Sequence, residues 1–221
     1  MTRPAPPFDA VLFDLDGVVI DSEPLHEEAM RRTFRRLELA VPLERFREFK
    51  GTAERDTFAL VAREYARGRF TGPEINEAKQ TLYAAGLPDV PFVAGFPAYA
   101  ELLREKGIPA ALVTSATRAN TGTVIDSRGL GDLFRAVVTA EDVERAKPDP
   151  EPYRTGARRL RLPPEKCLVI EDAERGIESA RAAGCPVAGL ATTLDPEDLR
   201  AAGCDWVAAD FDRLRSVMGW P

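Results

Sequence analysis

Short runs of consecutive apolar residues recur along the chain, and stretches with the spacing of amphipathic helices separate most of them. Strands that are apolar at every position are typical of a parallel sheet covered on both faces. Strands that alternate with helices form crossover units, which favour the same arrangement. The sequence therefore predicts a doubly wound α/β fold with a mostly parallel sheet. The predicted strands are residues 11–13, 110–113, 136–138, 168–170 and 187–190, and the predicted helices between them include residues 99–106, 152–160 and 177–183.

The stretch from Ser22 to Leu87 interrupts this alternation. Helical patterns follow one another there without a strand between them, at residues 23–39, 43–49, 53–66 and 74–85. We therefore expect two domains: a Rossmann-like α/β core of residues 1–20 and 90–221, and a small α-helical domain of residues 21–89 inserted after the first strand. In open α/β sheets, ligands bind at the carboxyl ends of the strands, so we expect the insert to cover that edge.

The composition excludes several classes of protein. A formal net charge of −6 argues against a general nucleic-acid-binding protein, which carries a basic excess. The single histidine, His26, excludes sites that need two, and the three widely spaced cysteines form neither a disulfide framework nor a zinc knuckle. No apolar stretch approaches the length of a membrane span. We therefore expect a cytoplasmic protein that binds neither nucleic acid nor membrane.

Polar residues with complementary chemistry follow four of the predicted strands. Each set alone has an ordinary explanation: acids in a turn, a helix cap, a solvated lysine, or acids at a helix N-terminus. Because the carboxyl ends of parallel strands share one edge of a sheet, the four sets together predict one site. Its hydroxyl groups would suit phosphate oxygens. In strand order the residues are Asp14 and Asp16 in an Asp-Leu-Asp-Gly segment, Thr114 and Ser115, Lys147 in a Lys-Pro-Asp-Pro segment, and Glu171 and Asp172.

These residue types are the ones that transfer of a phosphoryl group to an aspartate requires. A carboxylate that attacks a phosphate dianion meets charge repulsion, which Mg²⁺ and a lysine reduce. Glu171 and Asp172 offer the oxygen ligands that Mg²⁺ prefers, and Lys147 would keep Asp14 ionised. Asp14 would then take the phosphoryl group, and Asp16 would act as general acid and afterwards as general base. The residues alone predict a phosphate-handling α/β enzyme.

The four motifs resemble those of the haloacid dehalogenase superfamily of phosphohydrolases, and the helical insert resembles the small α-helical cap domain of that superfamily. Residues 16–26, Asp-Gly-Val-Val-Ile-Asp-Ser-Glu-Pro-Leu-His, are most similar to the branch that contains β-phosphoglucomutase and its sugar-phosphate phosphatase relatives. The resemblance implies a role for each motif. It makes Asp14 the nucleophile, Asp16 the acid and base, Thr114 and Lys147 phosphate ligands, and Asp14, the Asp16 backbone carbonyl and Asp172 the ligands of Mg²⁺, with Glu171 nearby.

The mutase resemblance extends to His26 on the first cap helix and to Lys50 and Gly51 in the following loop, as substrate-binding residues. In the mutase pattern an arginine falls three residues after that glycine, where this chain has Glu54, with Arg55 one place further on. An acid at this position would weaken a second phosphate site. We therefore expect a phosphatase and keep a β-phosphoglucomutase-type mutase as the alternative. For His26, an ordinary surface histidine is the competing interpretation.

Asp16 narrows the reaction further, because true dehalogenases of the superfamily lack an aspartate there and phosphonate-cleaving members have alanine. The sequence is thus interpreted as a Mg²⁺-dependent phosphatase that acts on a small phosphorylated metabolite, in particular a sugar phosphate. A phosphosugar-binding regulatory protein on the same fold is the non-enzymatic alternative, and the complete set of four motifs argues against it. We expect a monomer, with a homodimer as the alternative.

Overall fold

The structure is a computed structural model that describes residues 8–49 and 54–219. Within these residues, six strands form one sheet in which every neighbouring pair is parallel. The strands are β1 (Ala10–Phe13), β2 (Ala110–Val113), β3 (Phe134–Val138), β4 (Cys167–Glu171), β5 (Val187–Leu190) and β6 (Trp206–Ala208). The prediction of a doubly wound, mostly parallel sheet is confirmed. Residues of β1, β2, β4 and β5 are buried at every position, as expected for strands covered on both faces.

The order of the strands decides where a site can form. The sheet runs β3-β2-β1-β4-β5-β6, so the chain builds outward from β1 on one side and then continues from β4 on the other. Phe13 at the end of β1 lies opposite Ile170 in β4. The residues that follow these two strands therefore meet at the point where the strand order reverses, which is where open α/β sheets bind their ligands.

Ten α-helices lie within the described ranges. They are α1 (Glu23–Arg36), α2 (Arg45–Phe49), α3 (Glu54–Tyr65), α4 (Gly72–Gly86), α5 (Phe96–Glu105), α6 (Arg118–Arg128), α7 (Glu151–Leu160), α8 (Glu174–Ala183), α9 (Pro196–Ala201) and α10 (Phe211–Val217). The predicted helices at 99–106, 152–160 and 177–183 correspond to α5, α7 and α8, each of which begins up to three residues earlier than predicted. Helix α7 packs closely on the sheet at Gly156, where an added Cβ would lie 2.8 Å from a methyl group of Val113.

Four elements near the sheet were not among the predictions. Helix α6 buries only Thr121 and Val124, so it lacks an apolar stripe. Its ends nevertheless carry clear signals, because the Thr117 side chain accepts a hydrogen bond from the backbone N–H of Asn120 and Gly129 ends the helix with φ +64°. Strand β6 has three residues and helix α9 has six, so neither is long enough to show a period. Helix α10 has seven residues and buries Phe211 and Leu214, a helical spacing that the predictions did not include.

The chain divides into two compact units, one up to Asp21 and from Pro91 onwards, the other Ser22–Val90. The predicted boundaries, 20/21 and 89/90, each lie one residue earlier. The elements described in the second unit are the helices α1 to α4 and a short 3-10 helix, Leu87–Asp89. The four α-helices correspond to the four predicted ones, although α1 ends at Arg36 rather than at residue 39. A shared apolar core holds these helices together, with buried residues Phe34, Leu39, Phe49, Phe58, Val61, Ala66 and Ile75. Among the residues described, no helix is both long and apolar enough to cross a membrane.

Candidate active site

Asp14 is the first residue after β1. Its backbone N–H donates to the carbonyl of Ile170 at 3.1 Å, so the strand pairing with β4 holds it in place. The chain then turns at Gly17, which has φ +72° and donates to the carbonyl of Ile20 at 2.8 Å. Glycine is required here for two reasons: the left-handed conformation, and the fact that an added Cβ would overlap the carboxylate of Asp172. The Asp-Leu-Asp-Gly segment is therefore packed directly against Asp172, the acid that follows β4.

Three carboxylates meet at this edge of the sheet. One oxygen each from Asp14, Glu171 and Asp172 lies within 4.8 Å of the others, and all three side chains are largely or fully buried. The Asp16 side chain, which is half-buried, is not part of this group among the residues described. As a metal ligand, Asp16 was expected to contribute its backbone carbonyl, whereas its side chain was expected to act as general acid and base.

Lys147 is the cation of the site. Its ammonium donates to Asp14 Oδ1 at 2.5 Å, to Glu171 Oε1 at 2.7 Å and to the carbonyl of Val113 at 3.0 Å, which accounts for its three N–H groups. The loop that carries it is itself held, because the Arg175 side chain donates to the Lys147 carbonyl at 2.5 Å. The lysine that the sequence could also present as a solvated surface residue is thus buried and paired with the candidate nucleophile.

Glu171 uses both of its oxygens within the protein. Oε1 accepts from Lys147 and from the Tyr153 hydroxyl, the latter at 2.5 Å, and Oε2 accepts from the backbone N–H groups of Asp172 and Ala173 at 3.2 and 3.4 Å. Burial raises the pKa of Tyr153, so its phenol keeps the proton that it donates. At Gly176, an added Cβ would overlap the Glu171 carboxylate. Glu171 is therefore fixed in one orientation towards Lys147.

Thr114 and Ser115 follow β2. The backbone N–H of Thr114 donates to the carbonyl of Val138 at 2.9 Å, and its buried hydroxyl accepts from the backbone N–H of Ala116 at 3.0 Å. Ser115 is exposed. The competing interpretation, that these hydroxyls cap the next helix, is wrong, because Thr117 caps α6.

Three buried carboxylates lie near Lys147 in the candidate site, and burial and charge shift the pKa values of Asp14, Asp172 and Lys147. Burial raises the pKa of Asp14 well above its usual value; Lys147 opposes this rise, and the neighbouring carboxylates add to it. Burial, together with the charge of Glu171, raises the pKa of Asp172 to about 7. Burial lowers the pKa of Lys147, but the charges of Asp14 and Glu171 outweigh burial and raise it. A further cation would relieve the repulsion among these oxygens. Clustered carboxylate oxygens are ligands that suit Mg²⁺, so the donor set fits that ion.

His26 lies in the helical unit, in a cluster that joins three helices. Its Nδ1 is 2.5 Å from Lys79 Nζ and 3.5 Å from Glu54 Oε1, and its ring stacks on Tyr83 with centroids 4.1 Å apart. Lys79, which has no exposed surface, also donates to Glu54 Oε1, and Gln80 donates to Glu54 Oε2 at 2.8 Å. His26 is thus part of a polar network rather than an isolated surface histidine. Lys50 and Gly51 lie outside the described residues.

Most of the chain matches a model of a known protein family. The family model described as haloacid dehalogenase-like hydrolase matches residues 11–190, a range that includes every residue of the four motifs. This chain belongs to the haloacid dehalogenase-like hydrolases. The family resemblance predicted from the four motifs is therefore confirmed.

Several named relatives of this hydrolase are phosphatases. It is 35% identical to validoxylamine A 7'-phosphate phosphatase of Streptomyces hygroscopicus subsp. limoneus, with 97% of each chain covered. It is 37% identical to hexitol phosphatase A of Escherichia coli (strain K12), with 83% of each chain covered. Among solved structures, a putative β-phosphoglucomutase from Thermotoga maritima matches 90% of this chain and 94% of its own at 28% identity, with a TM-score of 0.79. The predicted class of enzyme, a phosphoric monoester hydrolase, is confirmed.

Several residues of the candidate site were not among the residues predicted from the sequence. Tyr153 lies on α7, and Thr192 and Thr193 follow β5; all three donate hydrogen bonds to the turn or to the acids described above. These two threonines begin two residues after the end of a predicted strand and resemble the pattern of Thr114 and Ser115, so that signal could have identified them. The tyrosine offers no such signal, because its contact depends on how closely α7 packs on the sheet.

Proposed function

We propose that this hydrolase is a Mg²⁺-dependent phosphatase that releases phosphate from a small phosphorylated metabolite, in particular a sugar phosphate, through a phosphoaspartate on Asp14. The observation that carries the proposal is the 2.5 Å contact of Lys147 with Asp14, inside a group of three buried carboxylates. The relatives named above, a hexitol phosphatase and a phosphatase of validoxylamine A 7'-phosphate, support the class of substrate.

Asp14 is proposed as the nucleophile. One of its oxygens bonds to phosphorus as the bond from phosphorus to the leaving oxygen breaks, and Asp16 gives that oxygen a proton. Asp16 then takes a proton from water as the water oxygen attacks phosphorus, which releases inorganic phosphate and restores the Asp14 carboxylate. The tight turn at Gly17 keeps the two aspartates in a fixed relation through both steps.

Lys147 is proposed to reduce the repulsion between Asp14 and the phosphate dianion. It is held for this by Val113 and Glu171, so its charge is already in place when substrate binds. Such preorganised charge costs no rearrangement during the reaction. In this proposal the buried Thr114 and the exposed Ser115 donate to phosphate oxygens.

The residues that would hold Mg²⁺ are Asp14, Asp172 and the backbone carbonyl of Asp16. When bound, Mg²⁺ supplies positive charge that offsets the charges of the carboxylates and of the phosphate. Both oxygens of Glu171 already accept hydrogen bonds from the protein, so we assign Glu171 mainly to the positioning of Lys147.

The network in the helical unit favours a phosphatase over a mutase. The mutase pattern has an arginine where this chain has Glu54, and Glu54 is paired with Lys79. Lys79 has no exposed surface and is already paired, so this position would present an acid rather than a cation to a second phosphate group. In this proposal the helical unit, Ser22–Val90, is the cap domain, and its residues set the preference for the part of the substrate beyond the phosphate.

The nucleophile is tested by Asp14→Asn, with Asp9→Asn as the matched control. Asp9 is an exposed acid just before β1. We expect Asp14→Asn to lower kcat at least about a thousandfold, because it removes the group that forms the covalent bond. The thermal unfolding midpoint should not fall, and Asp9→Asn should leave kcat unchanged. Turnover by Asp14→Asn near the wild-type rate would refute the assignment.

The reaction and substrate class are tested with the full chain and Mg²⁺ against hexose, pentose and hexitol phosphates, glycolate phosphate and nucleotides. Released inorganic phosphate is measured, and isomerisation of glucose 1-phosphate is followed beside it. A phosphatase releases phosphate from one or more of these compounds. An isomerised sugar phosphate without released phosphate would favour the mutase, and binding without turnover would favour the regulatory protein.

A further inference from the structure

The loop after β5 contacts both parts of the candidate metal site. Thr193 Oγ1 donates to Asp172 Oδ2 at 2.5 Å. Thr192 Oγ1 donates to the backbone carbonyl of Gly17 at 2.6 Å and lies 3.4 Å from the same Asp172 oxygen. The loop thus ties the turn after β1 to the acid after β4.

The packing around Thr193 leaves Asp172 little freedom to move. A Cβ added to Gly17 would overlap the Asp172 carboxylate and would lie 3.3 Å from Thr193 Oγ1. The carboxylate is therefore enclosed between the backbone of the turn and the threonine hydroxyl. Asp172 is also buried, so water has little access to replace a lost hydrogen bond.

The two threonines have different tasks, because a hydroxyl group has one proton to donate. The proton of Thr192 goes to the Gly17 carbonyl, and that of Thr193 goes to Asp172 Oδ2. A hydrogen bond on one oxygen fixes the rotation of a carboxylate and leaves its other lone pairs to a cation. Partners of this kind behind a metal ligand commonly change metal affinity tenfold to a hundredfold when they are removed (roughly the range seen in metalloenzymes).

We propose that Thr193 is a positioning residue that sets the affinity of Asp172 for a divalent cation. The inference rests on the proposed function, because it takes Asp172 as a ligand of Mg²⁺. Thr193 follows β5, and none of the four motifs contains it. The inference therefore adds to the site a residue from the end of a fifth strand. The hydroxyl of Thr193 is engaged with Asp172, so we expect its effect to reach the reaction through the metal.

Direct binding of Mg²⁺ to chelator-treated protein tests this proposal, by titration calorimetry on the full chain. Thr193→Val keeps the shape of the side chain and removes the hydroxyl, whereas Thr193→Ser keeps the hydroxyl. Thr121→Val is the control, because it removes a buried hydroxyl that donates to the backbone carbonyl of Thr117 within the same unit. We expect Thr193→Val to raise the Kd of Mg²⁺ about tenfold, and the other two variants to stay within about twofold.

The dependence of activity on Mg²⁺ concentration is a second measurement. A substitution that affected only the structure would not be corrected by more Mg²⁺. The loss of activity in Thr193→Val should be recovered when the Mg²⁺ concentration is raised about tenfold, by mass action. If the valine variant does not fold, Thr193→Ala takes its place with the same expectation.

Three results would overturn the inference. A Kd for Thr193→Val within about twofold of the wild-type value would exclude the role of the side chain. A Kd for Thr193→Ser as weak as that of the valine variant would exclude the hydroxyl. Absence of Mg²⁺ binding to the wild-type protein would refute the metal site of the proposed function as well. If the wild-type protein binds Mg²⁺ and hydrolyses substrate while Thr193→Val has an unchanged Kd for Mg²⁺, this inference alone is refuted.

Discussion

Replacing Glu54 with glutamine removes the negative charge beside Lys79, a lysine with no exposed surface. The lysine donates to Glu54 Oε1 and lies 2.5 Å from Nδ1 of His26, and Gln80 holds the other oxygen of Glu54. A glutamine has the same shape, so the packing is kept. The buried ammonium loses its counter-charge, and the helical unit should therefore become less stable.

The pKa of Glu54 sets the size of the effect. Burial raises it, but the hydrogen bonds and charges of His26 and Lys79 lower it more, from 4.5 to about 2. A difference of one in pKa corresponds to about 1.4 kcal/mol, which makes about 3 kcal/mol the upper limit. Because 35% of the Glu54 side chain is exposed, solvent screening reduces this value. We expect Glu54→Gln to lower the free energy of unfolding by about 2 kcal/mol at pH 7.

The same pKa predicts how this difference depends on pH. The folded pKa of Glu54 is below the unfolded one, so the stabilisation is present above pH 4.5 and is lost as the pH falls towards 2. At pH 3.5 the unfolded chain has taken up most of a proton and the folded chain almost none. The difference between wild type and Glu54→Gln should therefore be about 1 kcal/mol smaller at pH 3.5 than at pH 7.

Urea unfolding at the two pH values measures this difference. Because two compact units can unfold separately, hydrogen exchange of the α3 and α4 amides should report on the helical unit by itself. Asp56→Asn is the control, since Asp56 pairs with Arg55 at the surface, where an ion pair contributes little. Equal stability of Glu54→Gln and wild type at pH 7 would refute the reasoning. A difference that does not shrink at pH 3.5 would refute the pKa argument.

Three further predictions concern the α/β unit. Lys147→Met should lower kcat about a hundredfold or more in saturating Mg²⁺, because Asp14 loses its cation; a loss below about tenfold would contradict its proposed role. Gly17→Ala should lower the thermal midpoint by about 5 °C, through strain and overlap with Asp172. Gly107→Ala, at φ +66° with open space around it, should lower it less. In chelator, the stability of the protein should fall as the pH rises from 4 to about 7, because the pKa of Asp172 is raised in the folded state, and Mg²⁺ should restore it at pH 8. Flat stability over this range would contradict the raised pKa.

The charged residues of the site could be predicted from sequence because each follows a short apolar run. Asp14 comes directly after β1 and Asp172 directly after β4, and the rule that carboxyl ends of parallel strands share an edge brings them together. This rule alone does not place Lys147 in the site, because Lys147 lies nine residues after the end of β3 (Val138 to Lys147). Its interpretation depended on the resemblance to a family as well as on its place in the chain.

The supporting contacts could not be predicted in the same way. Tyr153 reaches Glu171 because Gly156 lets α7 approach the sheet, and this distance is a product of packing rather than of periodicity. The partner of Lys79 in the helical unit is Glu54, 25 residues earlier in sequence. Pairs of this kind depend on how helices pack, which local patterns do not specify.

The adjacent acids Glu171 and Asp172 illustrate how a strand end divides two tasks between neighbouring residues. Successive side chains in an extended chain point to opposite sides, so one acid faces Lys147 and α7 while the next faces the turn at Gly17. The first is saturated with hydrogen bonds from the protein and positions the lysine. The second is left with a raised pKa and oxygens that a cation can use. In the proposed function, Glu171 is therefore the support for the lysine and Asp172 is the ligand for the metal.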